Sequence, residues 1–170
     1  MDVYATSVDD EAFLLDLLNT TPVIDGVPTD ALSDIAVASP WMTAHGMPAT
    51  AAAWTSLTDA RAALQAVVRG DESAATLQPF LDRVRLAPTA GDAGVTWRLD
   101  VDDDASGAAR AVLAWDGLRI TSPGRLRPCA NTECHLFLID RSKPNTARWC
   151  SMAICGNRMK ARRHYQRSRG

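Results

Sequence analysis

RPCANTECHLFLIDRSKPNTARWCSMAICGNRMKARRHYQR, residues 127–167, contains all four cysteines of the chain. They form two identical pairs, Cys129-x4-Cys134 and Cys150-x4-Cys155, with fifteen residues between them. Each pair can supply two thiolates from one turn, and the segment between is long enough to bring the turns together, the pattern of a tetrahedral zinc site. His135 to Ile139 is apolar and β-prone, Ser142 to Thr146 carries Pro-Asn turn chemistry, and Ala147 to Trp149 leads back to Cys150, which predicts a hairpin between the pairs. Beyond Cys155 the sequence is basic, rich in helix formers and free of proline. Knuckle, hairpin and a helix with the last ligand in its first turn make a treble-clef-like finger. Two histidines, His135 and His164, compete for ligand positions, but the matched cysteines are the simpler set. Four thiolates fill a structural zinc shell and leave no place for a reactive water, so the site is expected to be structural, holding one Zn²⁺.

The same residues carry a family resemblance. Cys155-Gly156-Asn157-Arg158 after Trp149-Cys150-Ser151-Met152, with Asp140-Arg141-Ser142 between the pairs, closely resembles the CGNR zinc-finger family. Upstream, Asp16-Leu17-Leu18-Asn19-Thr20 looks like that family's Asp-x-x-Asn-Thr signature. The resemblance implies an N-terminal α/β domain of the ABATE type, a role in stress-induced transcription regulation in the bacterial cytoplasm, and a ligand-sensing function for the N-terminal part.

Charge is divided along the chain. From Arg125 to Gly170 there are eleven Lys/Arg and two acids, a net of +9; from Met1 to Gly124 there are seven Lys/Arg and eighteen Asp/Glu, a net of −11. Four thiolates and one Zn²⁺ would lower the tail to +7, still strongly basic. This asymmetry points to a polyanion partner for the tail, and equally permits the acidic part to compete for it. The longest uncharged run, Ile35 to Thr58, is interrupted by Pro40, Gly46 and Pro48, so no membrane span is expected. The acidic start has no basic segment followed by an apolar core, so the expected setting is the reducing cytoplasm, where cysteines are more often metal ligands than disulfides.

The division places a boundary near Ser122-Pro123-Gly124. Residues 1–122 are expected to form a mostly helical α/β (α+β) domain with a small sheet, and residues 123–170 the finger. Asp9 or Asp10 is expected to cap a first helix with Phe13, Leu14, Leu17 and Leu18 on its apolar face. Asp16 and Asn19, three apart at its end, are either ligand contacts or groups bonded to nearby backbone. Thr29-Asp30 and Ser39-Pro40 each suggest the start of a short helix, the second ended by Gly46. Thr50 to Arg69 reads as a long helix ended by Gly70, followed by another capped by Asp71 with Leu77, Phe80, Leu81 and Val84. Val84-x-Leu86 and Val95-x-Trp97-x-Leu99-x-Val101 alternate as strands, Asp100 and Asp102 to Asp104 read as a solvated strand end, and Gly107 to Gly117 as helix.

At about 100° per residue, the terminal helix sets Met152, Cys155 and Met159 toward the zinc. Arg158, Arg162, Tyr165 and Arg169 flank one side, and Lys160, Arg163 and Arg167 the other. Asn157, Ala161, His164 and Ser168 form the strip between. Small residues allow close approach to a groove while flanking cations reach phosphates. Asn157, Arg158, Lys160, Arg162, Arg163, His164, Arg167 and Arg169 are therefore the candidate nucleic-acid contacts, with Asn157 and Arg158 alternatively bonding the ligand sulfurs. DNA is the expected partner; RNA, or an acidic protein face, is the alternative. No nucleophile elbow, phosphate-cradling glycine loop or His-rich metal motif occurs, so the chain is not expected to be an enzyme.

Overall fold

Ser7 caps the first helix, α1 (Val8–Leu18), in a reciprocal box: its hydroxyl accepts from the Asp10 N–H at 3.1 Å, and the Asp10 carboxylate accepts from the Ser7 N–H at 3.2 Å. The cap thus lies ahead of the Asp9 or Asp10 expected, because Asp10 is more useful at the third helical position, where it satisfies the donor that Ser7 would otherwise leave free. The computed structural model describes residues 7–168. Beyond α1, a two-residue ribbon, β1 (Val23–Ile24) with β2 (Val27–Pro28), leads to α2 (Ile35–Ala44) and α3 (Ala51–Arg69).

The two short helices expected over 29–46 are one helix. Asp34, not Thr29 or Ser39, is the cap: its Oδ1 accepts from Ala36 and Val37 at 2.9 and 3.0 Å. Pro40 sits inside α2 and removes a single donor, the one that would have reached the Ala36 carbonyl. The long helix forms as read, with the Thr50 hydroxyl accepting from Ala53 and Gly70 closing it at φ 85°. The next segment does not form the expected α-helix. It makes a 3₁₀ turn, Ala74–Phe80, starting at Ser73 without a side-chain cap, and Pro79 inside it lacks the N–H that an α-helix would bond to the Ala75 carbonyl in the preceding turn.

Strands β3 (Arg85–Gly91) and β4 (Gly94–Asp100) form the predicted hairpin around Asp92-Ala93. The following helix, α4 (Asp103–Thr121), is longer than expected and begins within the acidic cluster. Asp103 and Asp104 therefore occupy a helix N-terminal turn, favourable for carboxylates, rather than a strand end. α4 packs closely on α3 and the loop before it. A Cβ at Gly107 would meet the Met47 sulfur at 2.2 Å, so any side chain there would require Met47 to move.

Helices α1, α3 and α4 enclose the core, built from Phe13, Leu14, Leu17, Leu18, Leu57, Leu64, Val112 and Leu118. One core residue comes from far along the chain: Phe137, 1 % exposed, on β6 (Phe137–Ile139). β6 pairs antiparallel with β5 (Leu126–Pro128), and α5 (Asn157–Arg167) ends the fold. The architecture is mixed α+β, with small antiparallel sheets and the cysteine cluster at the C-terminal end. Among the described residues, no helix is long and apolar enough to cross a membrane.

Candidate metal centre and nucleic-acid interface

The strand pair that presents the first knuckle is β5 with β6, on either side of Cys129 and Cys134. The return segment Ala147 to Trp149, expected as a strand, is not one. It is held instead by individual bonds, with the Ala130 N–H donating to the Arg148 carbonyl at 2.8 Å and the Ala147 N–H to Asp140 Oδ2 at 2.8 Å. Asp140, 1 % exposed, anchors this loop. Its carboxylate also accepts from the Ser142 N–H and from Arg127, both at 2.8 Å, while Arg125 donates to the Asp140 and Ser142 carbonyls. The Ser142 side chain, with the Ser142 and Ala147 amides and Arg127 opposite, holds the Asp140 carboxyl below its ordinary value against the effect of desolvation. The loop between the cysteine pairs is therefore built around one buried carboxylate.

The second pair enters through a wide π-type turn, Met152–Gly156, that runs into α5. Ser151 caps it, accepting from the Ile154 N–H at 3.4 Å, and Cys155 lies buried within it. Met152 does not face the metal as the helical angles suggested; the π-turn widens the spacing and leaves it 54 % exposed.

All four sulfurs converge, every pair lying within 4.8 Å. Cys134 to Cys150 and Cys150 to Cys155 are each 3.7 Å apart. A tetrahedral Zn²⁺ with Zn–S bonds of about 2.3 Å requires sulfur separations of about 3.8 Å, so the cluster has the dimensions of one structural zinc. Donors support the thiolates: the Asn131 amide, fully buried, points at Cys155 Sγ at 3.6 Å, and the Cys150 N–H points at Cys129 Sγ at 3.5 Å. Without metal, burial and neighbouring thiols push Cys150 up and hold Cys134 at about 11. Burial also pushes Cys155 upward, but Asn131 and the neighbouring thiols outweigh it and leave Cys155 below its ordinary value. A dication reverses the penalty at Cys134 and Cys150.

Asn131 is the functional residue that sequence reading missed. Its position inside the first knuckle was the available signal. Asn157, proposed as an alternative sulfur partner, donates to the Ala153 carbonyl at 3.2 Å instead.

The other candidates divide between surface and seam. Arg158, Lys160, Arg163, His164 and Arg167 are exposed on α5, whereas Arg162 is half-buried in an ion pair with Glu133 of the first knuckle. Arg169 lies outside the described residues. Two acids at the start of α4 have partners in the helical unit. Asp102 lies 3.6 Å from Arg83, and Asp104 accepts from the Thr50 hydroxyl at 2.5 Å. Asp16 is exposed, 3.6 Å from His45 Nε2. Asn19 faces the finger: its Oδ1 accepts from the Phe137 N–H at 2.7 Å, and its Nδ2 donates to the Phe137 carbonyl at 3.3 Å. Arg69 joins the seam, lying over the Phe137 ring at 4.7 Å and donating to the His135 carbonyl at 3.3 Å.

Residues 125–168 match the family described as CGNR zinc finger. No curated protein matches the chain.

Proposed function

We propose that this chain is a non-catalytic, zinc-stabilised DNA-binding regulator of the cytoplasm, with α5 as the surface applied to DNA. The observation that supports this reading most is the free basic face of α5. Arg158, Lys160, Arg163 and Arg167 project from a helix whose origin is fixed by the metal centre, and no acidic residue lies on the helix itself. Closely spaced cations on one rigid rod suit phosphates on two sides of a groove, while Asn157, Ala161 and His164 lie where base edges would be met. Regulation is the further part of the proposal. A signal would bind the N-terminal unit, with Asp16 among its contacts, and act through the seam at Asn19. It must bind two arrangements of that seam with different affinity to shift anything.

The test is to load the purified zinc form with random duplex fragments, wash at moderate salt and sequence what is retained. A recurrent motif supports the reading; uniform retention or none counts against a sequence-reading regulator. Direct competition with structured RNA distinguishes the alternative, since a shape-reading RNA binder prefers RNA over duplex DNA.

A further inference from the structure

The β3–β4 hairpin carries an apolar face that the rest of the chain covers only at its base. Its register pairs Leu86 with Leu99, Pro88 with Trp97 and Ala90 with Val95. Paired residues two apart along the strands share a face, so these six line one side while Arg85, Thr89, Thr96, Arg98 and Asp100 line the other. At the base, Leu86 and Leu99 meet Leu81, Val84 and Leu113 around an apolar recess of about 360 Å³. Toward the tip the face is open: Trp97 is 48 % and Val95 60 % exposed. Among the described residues the sheet has two strands, so both outer edges are unpaired there. Such a ribbon is marginal alone, and an open edge invites another strand.

The two edges are not equivalent. Pro88, in the middle of β3, has no N–H and interrupts that edge. β4 contains no proline, so every N–H on its outer edge is present, the alternate residues turning theirs toward β3. We propose that β4 pairs antiparallel with β4 of a second copy about a two-fold axis at Trp97, giving a four-stranded sheet with Trp97 against Trp97 at its centre.

Charge selects this register. Centred on Trp97, the ladder uses all seven residues of each strand. It sets Val95 against Leu99 of the second copy and Arg98 against Thr96, so no like charges meet. Centred on Arg98, the two guanidinium groups would oppose each other, which is destabilising. Centring on Thr96 or Leu99 shortens the ladder and leaves apolar residues without a partner. Each Trp97 is thereby covered by its symmetry mate, in a closed isologous contact. A seven-residue ladder is about 23 Å long and buries less than the roughly 800 Å² per partner of a standard interface. The association is therefore weak and concentration-dependent, independent of any nucleic acid.

The experiment is sedimentation velocity on the full zinc-loaded chain from about 1 to 300 µM, the range where contacts of this size dissociate. The weight-average mass is expected to rise from one chain toward two. Val95→Lys with Trp97→Lys, both at exposed positions, should return it to one chain with an unchanged far-ultraviolet circular dichroism spectrum. Thr96→Glu tests the register without touching the apolar face. It places a carboxylate opposite Arg98 of the second copy twice, and should tighten the dimer about threefold to tenfold at low salt. A wild-type chain that stays monomeric throughout overturns the proposal, as does a dimer that survives the double lysine variant. Weaker association of Thr96→Glu overturns the register.

Discussion

Asn19 and Phe137, 118 positions apart, exchange two hydrogen bonds, so that one side-chain amide acts as an extra residue of backbone along the edge of β6. The ring of Phe137 simultaneously enters the core formed by α1, α3 and α4. The metal centre and the helical unit therefore share a strand. This joint carries consequences for stability, metal binding and pH response.

Replacing Asn19 by Ala removes both bonds and leaves a partly buried amide of Phe137 unpaired. The expected loss of stability is about 1–3 kcal/mol, read as a lower denaturant midpoint with unchanged slope. Asn19→Asp keeps the acceptor but loses the donor, and should fall between wild type and Ala. A midpoint unchanged by Asn19→Ala would show that the pairing contributes nothing.

Metal removal should reach beyond the finger. A finger folding independently beyond a boundary near Ser122-Pro123-Gly124 would confine the effect of Cys150→Ser to the tail. With Phe137 in the common core, the variant is instead expected to lose its zinc, measured by elemental analysis, and to lower the melting temperature monitored by tryptophans of the helical unit such as Trp54. Phe137→Ala, which keeps every ligand, should cost about 3–5 kcal/mol. Unaltered melting of the helical unit in zinc-free Cys150→Ser would refute the shared-strand account.

Proton competition at the thiols has a definite sign. Cys134, held at about 11 without metal, and Cys150, also pushed up, are protonated near neutral pH, so zinc must displace both protons. Apparent zinc affinity should fall as pH falls, by about tenfold per displaced proton per pH unit, or about a hundredfold per unit for the two together. Competition against a chelator at about pH 6, 7 and 8 measures this slope. A flat profile would mean that the thiolates are already formed before metal arrives.

A second electrostatic element lies inside the helical unit. Arg61, 7 % exposed, holds Asp30 through two bonds of 2.6 and 2.7 Å and donates to the Thr20 hydroxyl at 2.8 Å. Asp30→Ala strands that guanidinium, and the expected cost is about 3 kcal/mol, the lower end for a buried pair because Asp30 is partly open to water. Burial pushes the Asp30 carboxyl up, but Arg61 and the Leu32 N–H outweigh it and hold it below 3.8. Its contribution is therefore complete above about 3.8 and lost as pH falls through the lower folded-state value. Acid titration of wild type and Asp30→Ala should converge below that range.

On nucleic acid, Arg163→Ala should weaken binding to every sequence and reduce the slope of log affinity against log salt by about one unit. Substitutions at Asn157, Ala161 or His164 should change sequence preference. An unchanged salt slope for Arg163→Ala would remove that residue from the phosphate-contacting set.

The metal centre was legible because its signal is local: two short cysteine pairs at one spacing. Helix α3 was legible for the same reason, with Thr50 and Gly70 marking its ends. What escaped was set by distant or competing partners. Asn19 was weighed between a ligand contact and a bond to nearby backbone; its partner is backbone, but that of Phe137, 118 positions away. Arg61 sits in an apolar helical pattern that gives no hint of Asp30 and Thr20 beside it. Asp34 makes two capping bonds, and this local gain fixes the start of α2 where Ser39-Pro40 had seemed to begin a helix. Met152 was misplaced because a π-type turn does not follow the 100° step.

The amide clamp at Asn19 also bears on inheritance. A finger that supplies a core side chain to its neighbour is not a freely exchangeable cassette. Transplanted onto another scaffold, residues 125–168 would carry their metal ligands but leave Phe137 without a socket and the β6 edge without its asparagine. A recombination event that respected the cysteines alone would thus deliver a complete coordination set on an incomplete fold. The heritable unit here includes the end of α1 as well as the finger.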